Sequence, residues 1–406
     1  MPLAVHLLGL AIFAQGSSEF MLSGLLPDIA ADLGVSLPDA GLLVSAFAIG
    51  MVLGAPVLAV ATLRVPRRTA LIAFQLVFVV GHVVGALAPG YGVLFATRIV
   101  SAVAYAGFWS VAAATAVSLV PPQAKGRALA AVGTGLTLAT VVGVPAGTLL
   151  SQHAGWRTAF WAVAGLTVLS ALSLLIALPT PRRAPAAAHV PSMRRELAGM
   201  ARPRLWLSYL VTALTFGAGV VTFSYLAPLL TDVTGLPAGW VPAVLSLYGV
   251  GGLIGVTVGG RFADTAPLRT LVLGVAALTL ASAALACTAT HLPSTLALVL
   301  VLGFTTYVTN PVVQSRVFRL APDAPTLVPA VNTSAFNVGI TLTPLLGGLT
   351  IDAGLGLSSV AWVGAATGLL ALAATVWAAT LRDRPTPTPA AVPTRVPAAA
   401  TAPTDG

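Results

Sequence analysis

Charged residues are scarce in this chain of 406 residues. Asp, Glu, Lys and Arg together make up 8%, whereas 57% of the residues are hydrophobic. The mean hydropathy of +0.96 lies far above the range of soluble domains. Runs without any charged residue, such as 70–88 and 159–178, are long enough to cross about 30 Å of hydrocarbon. This composition excludes a single large soluble core and predicts an integral membrane protein.

Cysteine is almost absent, and the histidines are not clustered. Cys287 is the only cysteine, so no intramolecular disulfide can form, and its apolar surroundings favour a packing role. Neither HExxH nor GxSxG occurs, and the five histidines are dispersed over positions 6, 82, 153, 189 and 291. The sequence therefore predicts no metal site and no enzyme.

The apolar runs are continuous and do not alternate, which favours spanning helices over barrel strands. Charged or Pro/Gly-rich breaks divide them into twelve predicted helices: 4–27, 39–62, 70–88, 92–119, 128–150, 159–178, 206–230, 240–262, 269–290, 295–318, 327–351 and 358–380. The first run has no basic residue before it and polar residues within it, so it predicts a retained helix and not a cleaved signal.

The longest internal polar break, 180–205, carries six arginines. It divides an N-terminal bundle of six predicted helices, 1–179, from a C-terminal bundle of six, 206–380. We interpret 180–205 as a linker. The tail 381–406 is rich in Pro, Ala and Thr without apolar periodicity, which predicts disorder.

The basic residues fall on one side of these helices. If the N-terminus is cytoplasmic, 18 of the 20 lie in cytoplasmic loops or the tail, while Arg157 lies outside with Asp28, Asp32, Asp39, Asp232 and Asp352. The positive-inside rule therefore predicts both termini in the cytoplasm. Because the arginines are scattered without interleaved aromatics, anionic lipid headgroups explain the net charge of +9 better than nucleic acid does.

Landmark residues recur 201 positions apart. The pairs are Gly16 with Gly217, Pro27 with Pro228, Gly34 with Gly235, Gly54 with Gly255, Arg68 with Arg269, Pro121 with Pro322, and Gly147 with Gly348. Such a constant offset indicates two similar halves. Parallel six-helix repeats permit alternating access to a substrate site between them. This favours a carrier, although a passive channel stays open as an alternative.

Four short motifs carry a resemblance to a known family. They are AVATLRVPRR (59–68) with Arg64, Arg67 and Arg68; GRFADTAPLR (260–269) with Gly260, Asp264 and Arg269; GVPAG (143–147) with Gly143, Pro145 and Gly147; and TRIVSA with Arg98. In these motifs the chain resembles the major facilitator superfamily and, within it, the twelve-helix drug:proton antiporters. The first motif departs from the family pattern at Ala59, Leu63 and Pro66.

The resemblance implies a role for each motif. The two loops would form gates, with Asp264 and nearby loop arginines as a latch; GVPAG would mark an antiporter; and Arg98 would take part in proton transfer, although Ala102 replaces its companion glycine. Pro145 is expected to kink its helix, and Gly143 and Gly147 to let a neighbouring helix approach closely. The resemblance also implies a monomer that uses the proton gradient and no cofactor.

The opening stretch AQGSSEFMLSGLLPDIAADL, with SAFAIGMVLGAP and SYLAPLLTDVTG, resembles actinobacterial chloramphenicol-resistance exporters within this superfamily. The expected function is proton-coupled export of chloramphenicol or related small drugs through the cell membrane. Sugar and nucleoside exporters share parts of the pattern, so their substrates stay an alternative.

Glu19 is the only acid predicted deep in the bilayer. Burial disfavours a charged carboxylate, so Glu19 is the predicted proton carrier unless Arg98 lies close enough to oppose the effect. Asp28 is the second candidate, and Glu19 as a structural or vestibule residue is the alternative. We predict substrate contacts from helices one, four, seven and ten: Gln15, Tyr105, Trp109, Phe216, Phe223, Tyr225, Tyr307 and Asn310. Any of these could instead pack or face lipid, and we interpret Met51 and His82 as packing residues.

Overall fold

Twelve helices in the computed structural model are long and apolar enough to cross a membrane, which is the number that the sequence predicts. The structure describes residues 2–62, 65–121, 124–178, 193–263, 265–321, 324 and 327–380, and these contain no strand. The bounds of the regular helices are α1 Leu3–Leu33, α2 Leu37–Ala61, α3 Arg67–Ala86, α4 Tyr91–Ser118, α6 Trp156–Ala177, α8 Val241–Phe262, α9 Pro267–Thr288, α11 Leu327–Asp352 and α12 Ser359–Thr380.

The other three spanning helices change geometry along their length. Helix α5 runs over Lys125–Leu138, passes through a π turn at Ala139–Gly143 and continues as Val144–Ala154. Helix α7 runs over Pro203–Ser224 and continues through Leu226–Pro228 into a π turn at Leu229–Val233. Helix α10 consists of Leu292–Val308 and Asn310–Leu320. We call the helix ends next to the linker the linker side, and the opposite ends the far side.

The two halves repeat the same close contacts. Gly50 of α2 lies against the Ile99 carbonyl of α4, and Gly251 of α8 lies in the same way against the Leu300 carbonyl of α10. The recurrence continues one turn along, where Gly54 meets Val103 and Gly255 meets Phe304. Each residue in the contacts of the second half lies 201 positions after the corresponding residue in the contacts of the first half. The repeat in the sequence is therefore a repeat of helix crossings. The fold is therefore two six-helix repeats.

Helix α1 is longer than predicted. The sequence suggests an end at Pro27, because proline lacks a backbone donor. In the structure the helix continues through Pro27 to Leu33 and ends at Gly34, which has a positive φ of 63°. Asp28 and Asp32 are therefore helical and not loop residues. In lipid, neighbouring helices can satisfy the backbone that a proline frees, so the break costs less than in water.

The linker contains structure that the sequence analysis did not predict. A short helix, Met193–Met200, lies within it, and α7 begins at Pro203. We call Met193–Met200 the linker helix. The Glu196 side chain is buried and accepts a hydrogen bond of 3.0 Å from the backbone N–H of Leu327, in the first turn of α11. The linker part 179–192 and the predicted tail 381–406 lie outside the described residues.

The two halves meet along α2 and α11, which run antiparallel. Pro38 lies against Gly348, the Ser45 hydroxyl donates to the Thr341 carbonyl at 2.8 Å, and the Ser334 hydroxyl donates to the Val52 carbonyl at 2.9 Å. From one of these contacts to the next, the position advances by seven residues, or two turns, along α2 and goes back by seven residues along α11. These contacts extend from the far side to beyond the middle of the helices.

A second pair of helices, α5 and α8, closes the other side of the interface. The Gln152 side chain donates to the Ala238 carbonyl at 2.7 Å on the far side. Nearer the middle, Gly249 of α8 lies directly against the backbone of Thr140 and Val141 in the π turn of α5. The far side is therefore closed on both flanks.

Two residues interpreted as packing side chains behave differently. Met51 is buried in the main core, as predicted. Cys287 is exposed on α9, so the prediction of a packing role is wrong for it. An apolar run in the sequence shows that a helix lies in the membrane region, but it does not show which face of that helix meets other helices.

Candidate functional site

A small cavity lies between the two halves, near the middle of the helices. Its free volume of about 10 Å³ is room for about one water molecule, and it is lined by residues of α1, α2, α7 and α11: Glu19, Phe20, Ser23, Val44, Phe47, Ala48, Val220, Phe223, Asn337 and Ile340. Sites for drug-sized ligands measure roughly 300–1,000 Å³. The structure is thus closed around less space than such a ligand needs, and a substrate could enter only after the halves separate.

Glu19 supplies the acid of this cavity. It lies near the midpoint of α1 and is 8% exposed, and its carboxyl group has no hydrogen-bond partner among the described residues. Ionisable groups at membrane depth are costly and usually pair or take part in transport of protons or ions. Glu19 is thus buried and faces the central cavity, and its role as proton carrier stays a prediction. Its alternative as a structural hydrogen-bonding residue has no contact to support it.

Arg98 lies two turns inside α4, as the sequence indicates, and is only 1% exposed. Its Nη1 donates to the Ser18 hydroxyl at 2.7 Å and its Nη2 donates to the Ser18 carbonyl at 2.9 Å. Its guanidinium carbon lies 4.3 Å from the centre of the Phe47 ring, a cation–π distance. Arg98 therefore binds the residue next to Glu19 and stacks on a ring of the cavity wall.

His82 on α3 is more than the packing residue that we predicted. Its Nε2 lies 2.6 Å from the Ser18 hydroxyl, and its Nδ1 lies 2.8 Å from the Phe78 carbonyl. The ring is buried and stacks on Phe78, with the ring centres 4.2 Å apart. Sequence reasoning missed this role because positions 18 and 82 are brought together only by tertiary packing, in which α3 lies against α4 and α6 and both of these contact α1. The available signal was a lone histidine in an otherwise apolar helix.

The GVPAG motif brings α5 against the helix that carries Glu19. A side chain at Gly143 would collide with the Ser17 hydroxyl, and one at Gly147 would lie 3.2 Å from Met21 Cβ. Gly143 also ends the π turn, two residues before Pro145, which has no N–H to continue the regular pattern. The close approach that we predicted from the two glycines is present, and α1 is the neighbour.

Asp28, the second proton-carrier candidate, lies away from the cavity. Its carboxylate accepts a hydrogen bond from the Ser151 hydroxyl and so ties α1 to α5 near the far side. It does not line the central space. On the same side, Asp32 pairs with Arg157 and accepts a hydrogen bond from Trp156 Nε1 at 3.0 Å. These acids join helices and do not face the cavity.

The predicted substrate residues separate into two groups. Phe223 lines the cavity, and its ring stacks on Tyr248 at 4.4 Å. Phe216 and Tyr307 stand behind it, with ring centres 6.1 Å apart. On the other side Tyr105 lies 6.0 Å from Phe47 and 6.3 Å from Trp109, measured between ring centres. These aromatics form a wall around the cavity, but of the predicted substrate residues only Phe223 reaches it in this conformation.

Tyr225 does not belong to the cavity, so that prediction needs correction. Its hydroxyl donates to the Pro344 carbonyl at 3.1 Å, and its ring packs against Gly41 and Gly348. It seals α2 against α11 on the far side. Two residues along a helix correspond to a rotation of about 200°, so Tyr225 faces away from the side of α7 that carries Phe223.

Gln15 is fully buried, and neither polar atom of its side chain has a partner among the described residues. Trp109 and Asn310, which are 201 positions apart, are partly exposed. The sequence analysis chose helices one, four, seven and ten, whereas α1, α2, α7 and α11 line the closed cavity. Asn337 of α11 was missed, although an amide in an apolar helix is the same kind of signal as Glu19. Its Oδ1 is buried without a partner among the described residues.

Comparison with known proteins decides the family. A sequence model of the Major Facilitator Superfamily matches residues 8–328 and again residues 243–403. The chain belongs to the Major Facilitator Superfamily. Its fold is also that of a solved superfamily structure, a bacterial homologue of the human lysosomal transporter Spinster in an inward-facing and occupied conformation. The two agree with a TM-score of 0.76 over 95% of this chain and 98% of the other, at 17% identity.

Two curated relatives are similar to the chain over most of its length. It is 43% identical to a chloramphenicol resistance protein of Streptomyces lividans, over 91% of this chain and 94% of that one. It is 30% identical to a probable sugar efflux transporter of Mannheimia succiniciproducens, over 91% of each chain. Family and fold are therefore those of multi-pass membrane transporters and not of enzymes.

The superfamily loop motifs are only partly described. Arg67 donates to the Ala114 carbonyl of α4 at 3.2 Å, and Arg68 donates to the Leu175 carbonyl of α6 at 2.6 Å. Both arginines thus bind carbonyls near the ends of helices, where a cation is favoured. In the second loop Gly260 and Arg269 are exposed. Arg64 and Asp264 lie outside the described residues, so the latch stays a prediction.

The companion position of Arg98 explains one departure from the family motif. Ala102 stands where the family has glycine, and the residue facing it across the α2–α4 crossing is Gly50. A side chain at Gly50 would collide with the Ala102 side chain and the Ile99 carbonyl. Close packing beside Arg98 is therefore kept, with the glycine on the other helix.

Among the described residues, no group of three His, Cys, Asp or Glu could hold a metal ion.

Proposed function

We propose that this transporter exports chloramphenicol, or a related small and neutral drug, in exchange for protons. The observation that carries the proposal is the Glu19 carboxyl group, buried without a hydrogen-bond partner among the described residues and facing the cavity between the two halves. The similarity to a chloramphenicol resistance protein supports the choice of drug. The aromatic wall around the cavity suits a ligand with a planar apolar part.

In this mechanism the proton and the drug compete for one site. A charged Glu19 in the closed, apolar cavity is costly, so the closed molecule favours the protonated carboxyl. Drug binding from the cytoplasm favours release of the proton, and a proton entering from outside favours release of the drug. The halves would separate alternately on the two sides, with α2–α11 and α5–α8 as the contacts that part. The far-side contacts described above correspond to the state closed to the outside.

The proposal includes an orientation and a cellular place. The basic linker side would face the cytoplasm, which puts both termini there, and the helices would cross the cell membrane. Arg67 and Arg68 would then lie at the inner surface, close to anionic lipid headgroups. We further propose that the transporter works as a monomer, needs no cofactor beyond the proton gradient and does not bind nucleic acid.

Transport by purified protein in proteoliposomes tests the proposal directly. With an imposed pH gradient, the native protein should accumulate chloramphenicol, and a protonophore should abolish the accumulation. Glu19→Gln keeps the size of the side chain but cannot lose a proton, so uptake should fall to that of empty vesicles. Asp28→Asn is the matched control, because Asp28 lies on the same helix but outside the cavity. It should retain proton-driven uptake.

Other outcomes of these assays would assign the proton to another residue or the site to another substrate. Undiminished, pH-dependent uptake by Glu19→Gln would reject Glu19 as the carrier, and loss of uptake only in Asp28→Asn would move the role to Asp28. The likeness to a probable sugar efflux transporter makes sugar export the second candidate. Parallel assays with arabinose and nucleosides decide this, since accumulation of a sugar without chloramphenicol would favour metabolite export.

A further inference from the structure

We propose that His82 is a positioning residue which, through the Ser18 hydroxyl, holds Arg98 away from Glu19 and so sets the proton concentration at which Glu19 is loaded. The proposal rests on the proposed function, in which Glu19 carries the proton. It starts from one unexpected arrangement. The buried cation nearest to Glu19 places both of its Nη atoms on Ser18, the residue before Glu19.

The hydrogen-bond network assigns the protons of this cluster. The Phe78 carbonyl can only accept, so His82 Nδ1 carries a hydrogen and donates to it. Arg98 can only donate, so the Ser18 hydroxyl oxygen accepts from it. The Ser18 hydrogen is then free to point at His82 Nε2, 2.6 Å away, which accepts when the ring is neutral. The chain of donors therefore runs from Arg98 to Ser18, to His82 and to Phe78.

This order makes Ser18 a good partner for the arginine. A hydroxyl that donates its hydrogen to an acceptor becomes a stronger acceptor itself, because hydrogen bonds in a chain polarise one another. His82 also fixes the direction of the Ser18 hydrogen, so the oxygen lone pairs face Arg98. Without that acceptor, the Ser18 hydroxyl could turn away, and the arginine would gain more by moving toward the carboxylate of Glu19.

The surroundings of His82 favour its neutral form. From α1 it is faced by Ser18 with Glu19 beside it, and from α4 by Arg98; the ring of Tyr105, also on α4, lies 6.4 Å from Phe78. From α6 it is faced by Phe160, whose ring centre is 5.6 Å away, and on its own helix by Phe78. A second cation in this apolar site would be repelled by Arg98 and poorly solvated. His82 therefore acts as a fixed acceptor while Arg98 stays in place.

The first experiment follows the carboxyl group itself, so it does not depend on transport. Infrared difference spectra of the purified protein, recorded through a pH titration, show the band of a protonated carboxyl, and Glu19→Gln identifies the part that belongs to Glu19. In His82→Leu, the arginine moves toward Glu19 and stabilises its charged form. The midpoint of the titration should then shift to more acid pH by about one unit, the lower end of the effect of a nearby opposite charge.

Four variants separate positioning from general damage. His82→Gln keeps an acceptor where Nε2 lies and should leave the midpoint near that of the native protein. Ser18→Ala should shift the midpoint in the same direction as His82→Leu, and the double variant should shift it no further, because both act on one link. Gln75→Leu is the matched control. Gln75 is a buried polar residue two turns away on α3, bonded to Ser170 at 3.0 Å and not to this cluster.

Transport gives the second readout. The pH profile of chloramphenicol uptake should shift with the infrared midpoint in His82→Leu and stay unchanged in His82→Gln and Gln75→Leu. The inference is overturned if the Glu19 band does not titrate in the native protein, if His82→Leu leaves its midpoint in place, or if the shifts of the single variants add. Failure of the native protein to transport chloramphenicol would instead overturn the proposed function, while the infrared comparison would still decide the role of His82.

Discussion

The two halves of the molecule share their helix crossings but differ in the residues that those crossings bring to the centre. Glu19 and Val220 are 201 positions apart, on α1 and α7, and both line the cavity. The same offset relates Ser18 to Gly219 and Arg98 to Val299. The first half therefore holds an acid, a hydroxyl and a cation where the second half holds two apolar side chains and a glycine.

The second half has a cluster of aromatic side chains near the cavity. Phe223 stacks on Tyr248, Tyr248 lies 6.4 Å from Tyr307 between ring centres, and Phe216 lies 4.0 Å from the Phe336 ring in the same way. The duplicated fold thus keeps the acid and the cation of the site in the first half, whereas both halves contribute aromatic side chains to the cavity: Phe20 and Phe47 from the first and Phe223 from the second. We therefore expect mutations to alter the proposed proton coupling and the proposed substrate contact separately, although both would depend on one cavity.

The largest effect is expected when the carboxyl group is moved from the first half to the related position of the second half. In a Glu19→Gln protein, the additional change Val220→Glu puts a carboxyl group at the related position of the second half. It should not restore proton-driven uptake, because Val299 and Gly219 stand where the first half has Arg98 and Ser18. Uptake in proteoliposomes should stay at the level of empty vesicles. Restored uptake would show that the carboxyl group alone is sufficient and that the two halves are equivalent.

A smaller effect is expected where the halves are alike. Gly50→Ala and Gly251→Ala each place a methyl group against a backbone carbonyl that cannot move aside. Each should lower the free energy of unfolding by about 1–3 kcal/mol, the usual cost of overpacking. Thermal unfolding in detergent measures this. Gly133→Ala is the control, since nothing lies within 4 Å of its added carbon, and it should not destabilise. Unequal losses at the two crossings would show that the halves pack differently.

The smallest effect compares two rings of the cavity wall. Phe223→Leu removes a stacking surface of the second half, so it should raise the KM for chloramphenicol by up to about tenfold without moving the pH profile. Phe47→Leu removes the ring on which Arg98 lies, so it should move the pH profile. Uptake measured over substrate concentration and pH separates the two results. A shift of the pH profile in Phe223→Leu would contradict the division of roles.

The sequence predicted those residues of the site whose charged side chains are energetically unfavourable inside a membrane. An acid or an arginine in an apolar helix is expensive in any arrangement of helices, so Glu19 and Arg98 stood out without a structure. The twelve helices and the repeat were predictable for a similar reason, since they follow from hydrophobic runs and regularly spaced glycines and prolines. These signals are local or periodic, and they do not require knowledge of which helices touch.

The contacts between helices were not predictable in the same way. Ser18 and His82 meet only because α3 packs on α4 and α6, which both contact α1, and Tyr225 meets α2 and α11 only because α7 packs on α11, which contacts α2. The cavity is lined by α2 and α11 because those helices are drawn together in the closed state. Such facts depend on the conformation as well as on the sequence, and the predicted choice of helices four and ten does not match the cavity of this conformation.

The linker helix connects the joining segment to one of the moving contacts. Glu196 holds the first turn of α11, and α11 is the helix that runs along α2 from one half to the other. A protease cut or a bound molecule at this segment would therefore alter how readily the bundles part, at a distance from the drug and the proton. In the proposed cycle, the tether between the halves would therefore also be a control point.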